Sequence, residues 1–334
     1  MLRRTILKAT MASLALAAYA QNIQASELKE VNFGIISTES SANLRTVWEP
    51  FLADMEKLTG YKVNAFFAPD YAGVIEGMRF NKVQVAWYGN ASAMQAVDRA
   101  DGEIFAQTTS KDGAPGYWSL LLAHKDSPIN SLEDVLKAPG KYTLGNGDPN
   151  STSGFLVPGF YAWGQNNIDV RKHFARVVTG NHEVNALAVA NRQVDLATNN
   201  NENLERLQKS QPAKAAEVKT IWKSPLIPSD PIVWRKDLPE ADKTKIKAFF
   251  MTYGTRQPGK PAERLNRELK VLADLQWGPF RESSNKQLLP IRQLALFRDK
   301  LKIEADANMA ADEKARKLAE IEAKLADLNR QMGS

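Results

Sequence analysis

Apolar and polar residues follow two rhythms along this chain. VNFGIIS (31–37) is a short β-rich run, and LRTVWEPFLADMEKLTG then sets Leu44, Val47, Trp48, Phe51, Leu52, Met55 and Leu58 at helical spacing before Gly60. KVNAFFA predicts a second strand, DYAGVIEGMRFNK a helix and VQVAWYGN a third strand. Strand, helix, strand, helix, strand is the order of an α/β domain around a largely parallel sheet.

A second round follows. YWSLLLAHK (117–125) predicts a strand, and Ser131 with Asp134 in SPINSLEDVL makes a capping-box-like helix start. KYTLGNG predicts another strand, running into GNGDPNSTSGFLVPG (145–159) and a helix over about 152–165 that Pro158 should kink. FARVVTG, a helix over NALAVANRQ, and VDLATNN complete a second α/β unit. IWKSPLIPSDPIVWRKD (221–237) is a strand pair broken by prolines, and helices follow to the end. The pattern predicts two α/β lobes joined by extended crossings near 117–122 and 224–233. The first lobe is expected over 28–118 plus 230–297, the second over 119–229, and a helical tail over 298–334. In the tail, Leu318, Ile321, Leu325 and Leu328 form a short heptad-like stripe, suited to packing on its own domain or to a homodimer contact.

The first twenty residues, MLRRTILKATMASLALAAYA, stand apart. Arg3, Arg4 and Lys8 precede a short apolar stretch and Ala18-Tyr19-Ala20, which is the pattern of a signal peptide cleaved near Ala20 and implies export. RRTILK also has the look of a twin-arginine signal, although an ordinary charged leader accounts for it equally. Without this leader the charge falls from +6 to +3, 41 basic side chains against 38 acidic, too little and too scattered to argue for nucleic acid.

With no cysteine in 334 residues, disulfides, thiolate metal sites and cysteine nucleophiles are excluded. His124, His173 and His182 lack zinc-protease spacing, so neither a metal nor a cofactor is expected. GNGDPN fails as a dinucleotide fingerprint because Asn150 stands where the last glycine belongs. A hydrolase using Ser151 or Ser153, His182 and an acid would need an activated nucleophile, and the chain has no G-x-S-x-G elbow.

Ser151, Thr152 and Ser153 lie side by side at this helix start. One hydroxyl suffices for an N-cap. The other two are free to donate to an anion seated on the first-turn N–H groups, so the turn is either a plain cap or an anion site.

NFGIISTES, FFAPDYAGVIEGMRFNKVQVAWYGN, GYWSLLL, GNGDPNSTSGFLVPG, NALAVANRQVDLATNN and KSPLIPSDPIVWR, taken together and in this order, resemble the periplasmic phosphonate-binding component of phosphonate ABC transporters. The resemblance runs from about residue 30 to about 297. It implies a two-lobed periplasmic binding protein of type II, a Venus flytrap that closes about a hinge over a ligand at the carboxyl ends of its strands. It further implies that Ser151, Thr152, Ser153 and His182 hold phosphonate oxygens, that Tyr71 and Tyr117 line the cleft, and that Glu202 and Asp230 take a ligand ammonium. Trp87, Tyr88 and Asn90 would border the cleft without an assigned role. The implied partners are an aminoalkylphosphonate such as 2-aminoethylphosphonate and a membrane permease. A sensing subunit for a chemoreceptor would use the same cleft. Without the resemblance, the tyrosines read as half-buried aromatics and the carboxylates as solvated loop groups.

Overall fold

The computed structural model describes residues 28–333, so the expected leader and cleavage site lie outside the described residues. The strands are β1 (Glu30–Ile35), β2 (Lys62–Phe67), β3 (Val85–Trp87), β4 (Gly102–Ser110), β5 (Gly116–Tyr117), β6 (Ser119–His124), β7 (Thr143–Asn146), β8 (Arg176–Thr179), β9 (Leu196–Asn200), β10 (Val218–Lys223), β11 (Ile227–Pro228), β12 (Pro231–Arg235) and β13 (Trp277–Glu282). They form two open sheets, ordered β13-β4-β12-β3-β1-β2 and β10-β6-β9-β7-β8, joined by the short ribbon β5-β11. This is the expected two-lobed type II α/β architecture.

The sheets are mixed rather than largely parallel. In the first lobe β1 runs parallel to β2 and β3, whereas β12 is antiparallel to β3 and β4. In the second lobe β7 runs parallel to β8 and β9, while β6 is antiparallel to β9 and β10. β13 also runs antiparallel to β4, and β6 and β12 are the strands that follow the two crossings. A strand that enters from the other lobe arrives at the cleft edge and so runs against the strands whose carboxyl ends point there.

The crossings pair in β5 and β11, with Tyr117 opposite Ile227 and Pro228 opposite Gly116. A Cβ on Gly116 would stand 1.9 Å from the Ile227 carbonyl oxygen, so only glycine lets the two chains touch. β11 lies inside the expected crossing 224–233, whereas β5 lies at the edge of 117–122, because residues 119–122 are already in the second sheet.

Each lobe has its own core. The first gathers Phe33, Trp48, Phe51, Phe250 and Trp277, with the Trp48 and Trp277 rings 5.3 Å apart edge to face. The second is smaller, around Leu121, Leu144, Trp163, Phe174 and Leu196.

The helical run after the hydroxyl turn differs from the single kinked helix expected. It is built of wide π turns, Thr152–Leu156 and Gly159–Trp163, closed by a 3-10 turn, Gly164–Asn166. Pro158 within this run has no N–H for the carbonyl of Gly154, four residues earlier. That carbonyl accepts from Gly147 N–H instead, at 3.1 Å, while Leu156 N–H reaches back five residues to Ser151. A Cβ on Gly147 would lie 2.5 Å from Gly154 backbone, so this glycine too is required by close approach.

The tail folds back as a helical hairpin of Leu289–Ala305 and Ala311–Gly333. Ile321, Leu325 and Leu328 of the expected stripe are buried within the chain, Leu318 is half-buried, and Gln293–Asn329 and Lys300–Glu322 contacts fix the pairing. The stripe therefore packs on its own chain. Leu325→Ala should cost about 2–4 kcal/mol through the cavity it leaves. Urea unfolding checks this, and an unchanged midpoint would contradict the packing.

Candidate phosphonate-binding cleft

The turns at the carboxyl ends of the strands meet between the lobes. On the second lobe Ser151 is the cap, its Oγ accepting Gly154 N–H at 3.0 Å. Thr152 reaches across the cleft, its Oγ1 accepting Ala91 N–H at 2.8 Å at the start of the first-lobe helix Asn90–Arg99. Ser153 faces His182, the first residue of the helix His182–Ala190, with Oγ 3.3 Å from Nε2. All four side chains are buried.

Asn200 organises this cluster. It caps the helix Asn201–Ser210, its Oδ1 accepting Asn203 N–H at 2.7 Å, so its NH2 end must face the other way. That amide lies 3.1 Å from Ser153 Oγ and 3.2 Å from His182 Nε2. With Nε2 accepting from the amide, the imidazole proton sits on Nδ1, which is buried with no hydrogen-bond partner among the described residues. Burial, and then the nearby Arg206, push the His182 pKa down to about 3, so the ring is neutral. The Ser153 hydroxyl hydrogen and His182 N–H are thus two buried donors.

Carboxylates occupy the other end. Asp230 lies just before β12, with Oδ1 accepting the Tyr117 hydroxyl at 2.9 Å and Oδ2 the Trp87 indole N–H at 3.2 Å. Burial, reinforced by Glu202, holds Asp230 well above the usual carboxylate range. Glu202 is half-buried and is raised by burial against the pull of Arg206. Tyr71 is buried with Ser151 beside its hydroxyl and Asp230 near it, and burial raises its pKa and that of Tyr117.

The eight residues expected at the site are brought into one cluster. The three bordering residues separate. Trp87 holds Asp230, whereas Tyr88 points into the first core and donates to Val74 O at 3.0 Å, because successive strand residues face opposite ways. Asn90 binds the carbonyl of Pro228 at 2.7 Å and so secures the crossing ribbon rather than the cleft wall. A cavity of about 1010 Å³, lined by Trp163, Arg171, Arg298 and Lys302, opens between the second lobe and the helix Leu289–Ala305, and none of the eight lines it.

Four further contacts cross the cleft. Ser40 N–H donates to Glu183 Oε2 at 2.7 Å and Asn43 Nδ2 to Glu183 Oε1 at 2.5 Å. Tyr71 N–H donates to Asp148 Oδ2 at 3.2 Å, and Glu39 pairs with Arg206 in a largely buried ion pair. The lobes are closed on each other.

A family model described as the periplasmic substrate-binding protein of phosphonate ABC transporters matches residues 33–288. This chain belongs to that family. It is 59% identical over 302 residues to the phosphonates-binding periplasmic protein of Escherichia coli K12, covering 90% of this chain and 86% of that one. The crystal structure of a phosphonate-transporter binding protein from Pseudomonas aeruginosa superposes with a TM-score of 0.87 at 58% identity, covering 92% of this chain and 99% of that one. The phosphate-import protein of Mycolicibacterium smegmatis is 32% identical over 66% of this chain and 70% of its own length. The chain is accordingly a periplasmic phosphonate-binding component of an ABC transporter, and none of its described helices is long and apolar enough to cross a membrane.

Sequence reasoning missed Arg206, Glu39 and Asn200. A signal for Arg206 was present: it follows Glu202 by four residues and so shares its helix face. Asn200 was visible as a cap-type residue before an acidic first turn. Glu39 carries no local signal, since only the approach of the second lobe gives it a partner.

The depressed His182 sets a pH dependence. Between its ordinary value of 6.5 and about 3, the unfolded chain binds a proton that the folded chain refuses, so stability falls as pH falls through that window. The slope should approach ~1.4 kcal/mol per pH unit below the ordinary value. His182→Gln should lack it. Denaturant unfolding of both proteins across that window tests this, and parallel stability curves would contradict it.

Proposed function

We propose that this protein captures an aminoalkylphosphonate such as 2-aminoethylphosphonate in the periplasm and presents it to the membrane permease. In this reading Ser151, Thr152, Ser153 and His182 donate to the phosphonate, Tyr71 and Tyr117 line its chain, and Glu202 and Asp230 take the ammonium. Residues 28–118 with 230–297 move as one lobe and 119–229 as the other, about the β5-β11 ribbon, after cleavage of the leader near Ala20.

The observation that carries the reading is the polarity of the cluster. Neutral donors with one unpartnered buried N–H stand at one end, and two buried or half-buried carboxylates without a cation of their own stand at the other. A phosphonate with an amine two carbons away has the matching polarity. Phosphate lacks the second charge, and import of phosphate by the Mycolicibacterium relative shows how ligand choice varies within the fold. A homodimer through the tail forms no part of this reading, since Ile321, Leu325 and Leu328 of the stripe are buried in their own chain.

Capture is favoured over hydrolysis by the Ser153–His182 geometry. A general base needs a free lone pair toward the serine and a third group orienting its other nitrogen. Here Asn200 lies within donating distance of Nε2, Nδ1 has no carboxylate, and a pKa of about 3 makes the ring a poor base. The ligand should be recovered unchanged by NMR after long incubation.

Calorimetry with two ligands tests the assignment. Glu202→Gln and Asp230→Asn should weaken 2-aminoethylphosphonate by about 2–5 kcal/mol and leave methylphosphonate nearly unchanged. Ser153→Ala should weaken both by about 1.5–3 kcal/mol. Equal losses for both ligands in the carboxylate variants would remove the amine assignment.

A further inference from the structure

The charges at the carboxylate end do not cancel. Asp230 is held by two neutral donors, the Tyr117 hydroxyl and the Trp87 N–H. Its electrostatic neighbours are Glu202 and Arg206 from the helix Asn201–Ser210, and Tyr71 from the helix Tyr71–Arg79. Glu202 faces Arg206 and is repelled by Glu205. Arg206 is the cation shared by the two carboxylates, and it is already engaged by Glu39 in the ion pair that crosses the cleft. Tyr71, Tyr117 and His182 are all neutral. Three carboxylates therefore surround one guanidinium, and an incoming phosphonate adds negative charge.

While the lobes are apart, water can solvate Glu202 and Asp230. Closure buries Asp230 and half-buries Glu202, and a buried carboxylate without a counter-charge takes up a proton rather than stay ionised. A ligand ammonium meets the same need.

Building on the amine assignment above, we propose that ammonium and proton are interchangeable in this cleft. An aminoalkylphosphonate binds with Glu202 and Asp230 ionised, whereas a phosphonate without an amine binds together with one proton, taken from solvent onto a carboxylate oxygen of the pair. The upward displacement of both carboxyl groups on burial agrees with this. It follows that preference for the amine weakens as pH falls, by up to about tenfold per pH unit for a one-proton difference.

Calorimetry of the full-length mature protein, in two buffers of different ionisation heat, counts the protons taken up with methylphosphonate and with 2-aminoethylphosphonate. Subtracting the count for the Glu202→Gln, Asp230→Asn double variant removes each ligand's own titration. The difference should be about one proton for methylphosphonate and close to none for 2-aminoethylphosphonate. In the wild type alone, a carboxylic-acid carbonyl band should appear in the infrared difference spectrum with methylphosphonate and be absent with 2-aminoethylphosphonate. This second readout holds even if the double variant does not fold. Equal side-chain proton counts, with 2-aminoethylphosphonate still the tighter ligand, would overturn the proposal and leave the amine assignment standing. So would failure to bind methylphosphonate at mildly acidic pH. Loss of the amine preference itself would overturn both.

Discussion

A helix that follows a parallel strand begins at the strand's carboxyl end, and its first N–H groups have no acceptor in the helix. The cleft depends on this constraint. Helices beginning at Ser41, Tyr71 and Asn90 in the first lobe, and at Thr152, His182 and Asn201 in the second, all start where the lobes meet. The cleft is thus lined by the positive ends of helix dipoles and by cap side chains, and it can favour an anion with every nearby histidine and tyrosine neutral. The cluster of Ser151, Thr152, Ser153, Asn200 and His182 accordingly contains hydroxyls, an amide and a neutral imidazole rather than lysines.

The same constraint shapes closure. Three first-lobe helix starts are met by second-lobe oxygens: Ser40 N–H by Glu183, Tyr71 N–H by Asp148 and Ala91 N–H by Thr152. These bonds link the lobes without using the buried side chains of Ser153 and His182. Each satisfies a group otherwise left to water, so its net contribution is modest, about 0.5–1.5 kcal/mol for a typical bond and more where a carboxylate accepts.

Much of this was legible in the sequence because it rests on local pattern. The alternation of strands and helices and the glycine-bounded hydroxyl turn are written in residue spacing, and the family followed from motifs kept in order over most of the chain. What was hidden is non-local. The mixed direction of the sheets arises from the chain crossing twice between lobes. In the π-turn run, the Gly154 carbonyl left by Pro158 accepts from Gly147, a partner found only in the fold. Glu39 and Arg206 sit 167 positions apart and become a pair only when the lobes meet.

The most direct test is a crystal structure of this protein with 2-aminoethylphosphonate. The account predicts phosphonate oxygens within hydrogen-bonding distance of Ser153 Oγ and His182 Nδ1, and the nitrogen against Asp230 and Glu202. A ligand bound in the reverse direction, or with its amine left in solvent, would contradict it.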